Sequence, residues 1–228
     1  MKVPEKFDLY ASMDPAKEVG GDFYDFFMID DDHLAAVIAD VSDKGVPAAL
    51  FMMSAKIIIN YRAQMGGTPG EILSDANTEL NKNNKYKMYV TVWMGMLELS
   101  TGTLTCTNAG HEYPMIRGRD GVFRILKDKH GAAVAALPKM KYSDYQIQME
   151  PGDAIFVYTD GVPEASNEKG GIYGMERMEE TLNRLAGENP KDIFKGIRED
   201  VDQFVKGANQ FDDLTMLCLE YRGKADGI

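Results

Sequence analysis

The sequence predicts a mixed α+β fold whose strands pair largely antiparallel. Three observations lead there. Runs of strand length fall in pairs joined by short turns, at Asp30-Asp31-Asp32, Ser100-Thr101-Gly102 and Asp120-Gly121. Helical stretches come in two blocks of two, one after the early strands and one before the last. No strand–helix–strand alternation, internal repeat or low-complexity linker interrupts this order. A length of 228 residues suits one large domain with a substantial core, so residues 1–228 are read as a single unit.

Phe7 to Met13 alternates weakly and reads as a strand. Asp14 to Gly21 is a loop ending in two glycines, which allow backbone shapes closed to other residues. Asp22 to Ile29 is a second strand and His33 to Val41 its return, with the triple Asp as a solvated turn rather than a metal site. Pro47 to Met65 is a long helix with proline in its first turn. It is apolar nearly all round, which predicts burial on more than one side, with its methionines as core filler. Thr68-Pro69-Gly70-Glu71 opens the next helix as a capping box, and Ile72, Leu73, Ala76 and Leu80 form its inward stripe. The middle of the chain is strand-rich: Tyr89–Leu99, Thr103–Asn108, Met115–Gly118, Val122–Leu126 and Tyr142–Met149. Gly131 to Leu137 is small and apolar without a period. Pro151-Gly152-Asp153 turns into a strand that ends at Asp160. Gly174–Ala186 and Pro190–Val205 read as amphipathic helices, Leu214–Tyr221 as the last strand, and 223–228 as a frayed tail.

The charge balance is 25 − 36 = −11, with pI near 4.8. Such a surface argues against non-specific binding to nucleic acid or anionic membrane. No apolar run approaches the roughly 18 residues of a membrane span, and no signal peptide precedes the first strand. Cys106 and Cys218 lie in apolar strands without metal-type spacing, which fits buried free thiols in a reducing cytoplasm. A strand so soon after Met1 fits a domain cut from a longer chain.

Four stretches carry the chemistry. An apolar run from Leu34 delivers Asp40 at its end, followed by Val41-Ser42-Asp43-Lys44-Gly45. Gly20-Gly21-Asp22 opens an aromatic run, Phe156 to Tyr158 leads to Asp160-Gly161, and Phe211-Asp212-Asp213 starts the last apolar run. Any one Asp-Gly marks only a turn. Four carboxylates, each tied to an apolar run, imply one shared acidic site, and like charges so gathered need a cation among them. The chain has only three histidines, so oxygen-only ligation favours Mg²⁺ or Mn²⁺. Two such ions activate a water and clamp a phosphoryl group, which is metal-assisted phosphoester hydrolysis.

The ordered set Val19–Asp25, Ile38–Gly45, Thr107–His111, Tyr158–Ala165 and Phe211–Thr215 resembles the metal-dependent protein phosphatases (PPM family) in the bacterial SpoIIE/RsbU-like branch. The resemblance runs from about Phe7 to about Tyr221. It implies a four-layer α-β-β-α sandwich of two antiparallel sheets with helix pairs outside. It also implies a binuclear Mn²⁺/Mg²⁺ site that hydrolyses phosphoserine or phosphothreonine on a protein, by attack of a metal-bridging hydroxide. By resemblance Asp40 bridges both metals, the Val41 carbonyl ligates one, Asp160 and Asp212 ligate the other, and Asp22 serves the remaining acidic position directly or through water. Asp213 is a supporting neighbour. Asp25 is either a support or a surface carboxylate. Lys17 either touches the substrate phosphate or is a solvated loop lysine. His111 is read as ordering its loop, with general acid as the alternative. The implied substrate is a phosphorylated STAS-domain anti-anti-sigma factor. The implied context is a sensor-linked cytoplasmic protein, with room for a homodimer through a preceding N-terminal region and with the helices after Asp40 setting Asp40 and Val41.

The chain departs from the branch at 131–137, where a Gly-Leu-Pro-Leu-Gly-like stretch is degenerate, and it has no counterpart of the arginine that binds phosphate in many eukaryotic relatives. That points to docking of a protein partner for affinity. Two rival readings remain beside the phosphatase: a pseudophosphatase that only binds, and a small-molecule phosphatase.

Overall fold

The computed structural model describes residues 6–82 and 84–223. Most of the tail read as frayed, residues 224–228, lies outside the described residues. The strands and helices run in the order β1 (Phe7–Asp14), β2 (Phe23–Met28), β3 (His33–Val41), α1 (Val46–Gln64), α2 (Pro69–Lys82), β4 (Val90–Glu98) and β5 (Thr103–Ala109). They continue with β6 (Met115–Arg117), β7 (Phe123–Ile125), β8 (Tyr145–Gln148), β9 (Ala154–Tyr158), α3 (Met175–Arg184), α4 (Pro190–Val205) and β10 (Leu214–Tyr221).

The strands form two five-stranded sheets, β1-β10-β9-β6-β7 and β2-β3-β4-β5-β8, with every strand pair antiparallel. Strand alternation divides the core into three layers. From β3, Ala35, Val37 and Ala39 meet Ala55, Ile59 and Leu73 of α1 and α2. The alternate residues Leu34, Ala36 and Ile38 face the second sheet, where Ile155, Val157, Leu217 and Leu219 wait. On the far side Met216 and Cys218 of β10 pack against Met178, Leu182, Ile193 and Ile197 of α3 and α4. The α-β-β-α sandwich is therefore the fold, with an apolar layer on each side of each sheet. Both cysteines are buried and free.

Local signals explain the element ends. Thr68 Oγ1 accepts from the Glu71 amide at 3.3 Å while the Glu71 carboxylate accepts from the Thr68 amide at 3.0 Å, closing the capping box. Asn189 caps α4 by accepting from the Asp192 amide, ahead of Pro190. Asp30 Oδ1 accepts from the amides of Asp32 and His33, so the triple Asp is a turn.

Two expectations change. α1 is not buried on more than one side. Its buried face is small, with Ala48, Ala49, Ala55, Ile59 and Ala63, and that lets the helix approach the sheet closely. The larger Leu50, Met53, Ile57 and Tyr61 lie exposed on another face. The run Tyr142–Met149 forms a strand only over Tyr145–Gln148, because β5 supplies partners only from Thr103 to Cys106. Among the described residues no helix is long and apolar enough to cross a membrane.

Candidate active site

The acids gather at one end of the space between the sheets, and strand parity sends them there. Asp40 continues the Leu34, Ala36, Ile38 series that faces the second sheet. One step beyond the Phe23↔Ala39 pair, Asp22 stands across from Asp40 on the neighbouring strand. In the opposite sheet Asp213 and Thr215 extend the inward series of Leu217 and Leu219. Asp160 stands two residues past the last residue of β9, and the Thr159 amide donates to the Thr215 carbonyl at 3.0 Å. Each sheet thus brings its own acids to a common mouth.

Their electrostatics follow from crowding. Asp40 is pushed up to about 7 by burial first and then by the Asp160 carboxylate, with Asp212 and Asp213 adding to the rise and a hydrogen bond from Asp22 opposing it. Burial and then Asp40 hold Asp22 well above the usual carboxylate range. Burial, Asp212 and Glu164 raise Asp160. All the donors here are oxygens, and buried carboxylates that raise one another are the chemistry a hard divalent cation relieves, so the residues fit such an ion.

The carboxylates are not closed into a cage. Among the described residues no three Asp, Glu, His or Cys groups stand at ion-holding spacing. Asp22 Oδ2 is instead bonded by the Thr215 hydroxyl at 2.5 Å. Asp212 Oδ2 is paired with Lys44 Nζ at 2.6 Å.

Asp213 has a different set of partners. Its Oδ1 accepts from the Ala16 amide at 2.8 Å, and its Oδ2 accepts from the amides of Gly21 at 2.7 Å and Asp22 at 3.3 Å. It thereby pins the 14–22 loop over the end of β10. A side chain at Gly20 would run into this carboxylate, and one at Gly161 would strike the Asp213 carbonyl. Both glycines are needed for close approach rather than for a turn. Val41 presents its carbonyl beside Gly21, where a Cβ would sit 3.3 Å away.

The remaining predicted residues separate. His111 is buried, its Nδ1 lies 2.9 Å from Thr91 Oγ1, and its amide donates to Asn108 Oδ1 at 2.8 Å. Burial drives the imidazole down to about 3, so it is neutral and ties the 108–113 loop to β4 beside Asp40, the Thr91 partner in register. Asp25 points to the helix side of its sheet, 4.0 Å from Lys56 Nζ and 3.3 Å from Asn60 Nδ2. It does not join the acidic mouth. Lys17 is exposed on the loop that Asp213 pins.

The residues that sequence reasoning missed lie inside the motifs it quoted or, for Glu112, one residue beyond. Lys44 sits four residues after Asp40, and its ammonium reaches across 167 positions to donate to the Phe211 carbonyl at 2.8 Å. Thr215 carries the hydroxyl on Asp22. Glu112 and Glu164 border Asp160, and burial followed by Asp160 raises Glu112. A cleft of about 240 Å³ opens on the flank of Asp212, between Gly161–Ser166 and the end of α4, with Phe211 at its rim.

Residues 30–222 match the family model described as Stage II sporulation protein E (SpoIIE). The chain is similar to protein IcfG of Synechocystis, with 32% identity over 94% of this chain and 38% of IcfG. It is also similar to the phosphoserine phosphatase RsbU of Bacillus subtilis, with 29% identity over 96% of this chain and 65% of RsbU. The chain therefore spans less than two thirds of either relative. Among solved structures, the RsbU and RsbW domains of Rv1364c from Mycobacterium tuberculosis superpose with a TM-score of 0.82 at 22% identity, covering 97% of this chain and 61% of that one. The match over most of the length, on a sandwich with four helices and two antiparallel sheets, places the chain in the SpoIIE family of PP2C-type (PPM) phosphatase domains.

Proposed function

We propose that the chain is the catalytic domain of a metal-dependent protein serine/threonine phosphatase. One observation carries this reading: buried and half-buried carboxylates supplied by both sheets crowd one another at a single mouth, with Lys44 as the cation paired with one of them. The ions that suit this donor set are two Mn²⁺ or Mg²⁺, which when bound supply an acidified water and neutralise phosphoryl oxygens.

In this reading Asp22, Asp40 and the Val41 carbonyl hold from one sheet, and Asp160 and Asp212 from the other. Asp213 keeps the 14–22 loop, and with it Asp22, in position. Lys17 on that loop meets the substrate phosphate. His111, held neutral, orders its loop and takes no part in proton transfer.

The substrate is a phosphoserine or phosphothreonine on a protein. RsbU is named a phosphoserine phosphatase, and the same chemistry is carried here as part of the proposal. The reading extends to a phosphorylated STAS-domain regulator as substrate and to a cytoplasmic setting. Residues 1–228 form one domain of a longer, sensor-linked protein, and a homodimer forms through a preceding segment. The exposed Leu50, Met53, Ile57 and Tyr61 of α1 form an apolar face, with an open groove of about 400 Å³ beside Met53, Ile57 and Tyr61, and suit a protein partner.

The test is hydrolysis of p-nitrophenyl phosphate and of a phosphorylated STAS-domain protein, with and without Mn²⁺, by the wild type, Asp40→Asn and Asp160→Asn. The expected result is hydrolysis that needs Mn²⁺ and falls at least about a hundredfold in both variants, as loss of a ligand does. A folded wild type inert with every substrate and metal would support the binding-only reading, which the Lys44–Asp212 pair also suits. Preference for free phosphoserine over the phosphoprotein would make it a small-molecule enzyme.

A further inference from the structure

We propose that Lys44 is an internal counter-cation that competes with a divalent ion for Asp212. The inference rests on the metal-dependent reading above and deepens it by naming what governs occupancy of the site.

Lys44 lies in the turn between β3 and α1. Its neighbours Asp43 and Gly45 have φ of 69° and 86°, both in the left-handed region. Glycine enters that region freely and aspartate is among the few other residues that do. The two reversals fold the intervening lysine back across the mouth. An ammonium has three N–H donors and no acceptor. Here the group meets Asp212 Oδ2 at 2.6 Å, the Phe211 carbonyl at 2.8 Å and the face of the Phe211 ring at 4.5 Å from its centroid. Carboxylate, carbonyl and ring come from two consecutive residues, so the ammonium has a built seat rather than a stray surface contact.

A carboxylate oxygen bonded by an ammonium at this distance is closed to a hard cation, and the two positive charges repel. The pair is partly solvated, with side-chain exposures of 35% for Lys44 and 27% for Asp212. Such a pair is weak enough for a divalent ion to displace, and the lysine stem is flexible enough to swing away. The seat therefore sets a threshold for ion binding and does not block it.

The experiment titrates Mn²⁺ into the metal-stripped 228-residue chain by calorimetry, in 0.1 M and 1 M KCl, for the wild type, Lys44→Gln, Lys44→Arg and Phe211→Ala. Lys44→Gln should bind one ion about fivefold more tightly. The gain should persist in 1 M salt, where fields are screened within about 3 Å but contact competition remains. Lys44→Arg should stay within about twofold of wild type, and Phe211→Ala, which removes only the ring, should gain about twofold. Unchanged or weaker affinity in Lys44→Gln, or a gain that vanishes in 1 M salt, overturns the inference while leaving the metal reading intact. No Mn²⁺ binding by any folded variant overturns both. If Lys44→Gln does not fold, Phe211→Ala decides by the same criteria.

Discussion

Asp212 and Asp213 are neighbours in sequence and do unlike work. The Asp212 carboxylate meets Lys44, whereas Asp213, in the inward series with Thr215 and Leu217, accepts from three backbone amides of the 14–22 loop. Successive side chains on an extended segment point opposite ways, so adjacent residues take different partners. Removing Asp213 leaves buried N–H groups without acceptors, each worth about 1–3 kcal/mol. Asp213→Ala should therefore cost about 2–4 kcal/mol, or about 5–12 °C in Tm for a domain of this size. Hydrogen exchange should show the amides of Gly21 and Asp22 losing protection. Asp212→Ala should leave those amides protected and lower Mn²⁺ affinity instead. If both variants deprotect the loop equally, the division of labour assigned to this pair is wrong.

At the scale of elements, α3 and α4 are fastened by one carboxylate. Asp200 of α4 accepts from Arg177 Nε at 2.8 Å, the Tyr173 hydroxyl at 2.8 Å and Thr181 Oγ1 at 3.2 Å. The Arg177 bond, with Tyr173 and Thr181, holds Asp200 down to about 2 against the opposing effect of burial. A carboxylate depressed in the folded state binds fewer protons there than in the unfolded chain between about pH 4 and 2. Its stabilisation is complete above about pH 4 and is lost as pH falls through about 2. Asp200→Asn should thus lower Tm at pH 7, and the gap from wild type should narrow steadily below pH 4; a gap independent of pH would remove the linkage. Elements of this kind were readable in advance. His33–Val41, Pro190–Val205 and Leu214–Tyr221 have the bounds their patterns predict, because an unbroken apolar strand and a proline-started amphipathic helix are local signals. The motif acids were legible for the same reason, each standing at the start or the finish of an apolar run. The Lys44–Phe211 contact and the Thr215–Asp22 bond were not, since each joins residues more than 160 positions apart through a strand order that no local pattern encodes. The outward face of α1 was misread because apolar side chains all round a helix look the same whether a partner covers them or not.

For the whole molecule, the acidic mouth lies where the two sheets meet, so the proposed ion binding depends on the integrity of the sandwich. Asp22 and Asp40 belong to the sheet of β2 and β3, and Asp160, Asp212 and Asp213 to the sheet of β9 and β10. The apolar layer between them, with Trp93, Leu97, Val157 and Leu217 fully buried, fixes the spacing of the sheets. On the proposed metal-dependent reading, an ion held from both sides would act as a clasp at one end of that layer and would also relieve a net charge of −11. Mn²⁺ at about a hundred times its dissociation constant should stabilise by about 2.7 kcal/mol, a rise of about 5–10 °C in Tm. The rise should shrink by half or more in Asp40→Asn and in Asp212→Asn alike, although the two residues lie in different sheets. Leu217→Ala, which opens the layer without touching a carboxylate, should cost about 3 kcal/mol and weaken Mn²⁺ binding as well, because the two halves of the site no longer meet at a fixed distance. Differential scanning fluorimetry across a Mn²⁺ series checks all three variants together. A full Mn²⁺ response surviving in either aspartate variant would place the ion on one sheet alone. The sandwich would then be its support and not a party to its binding.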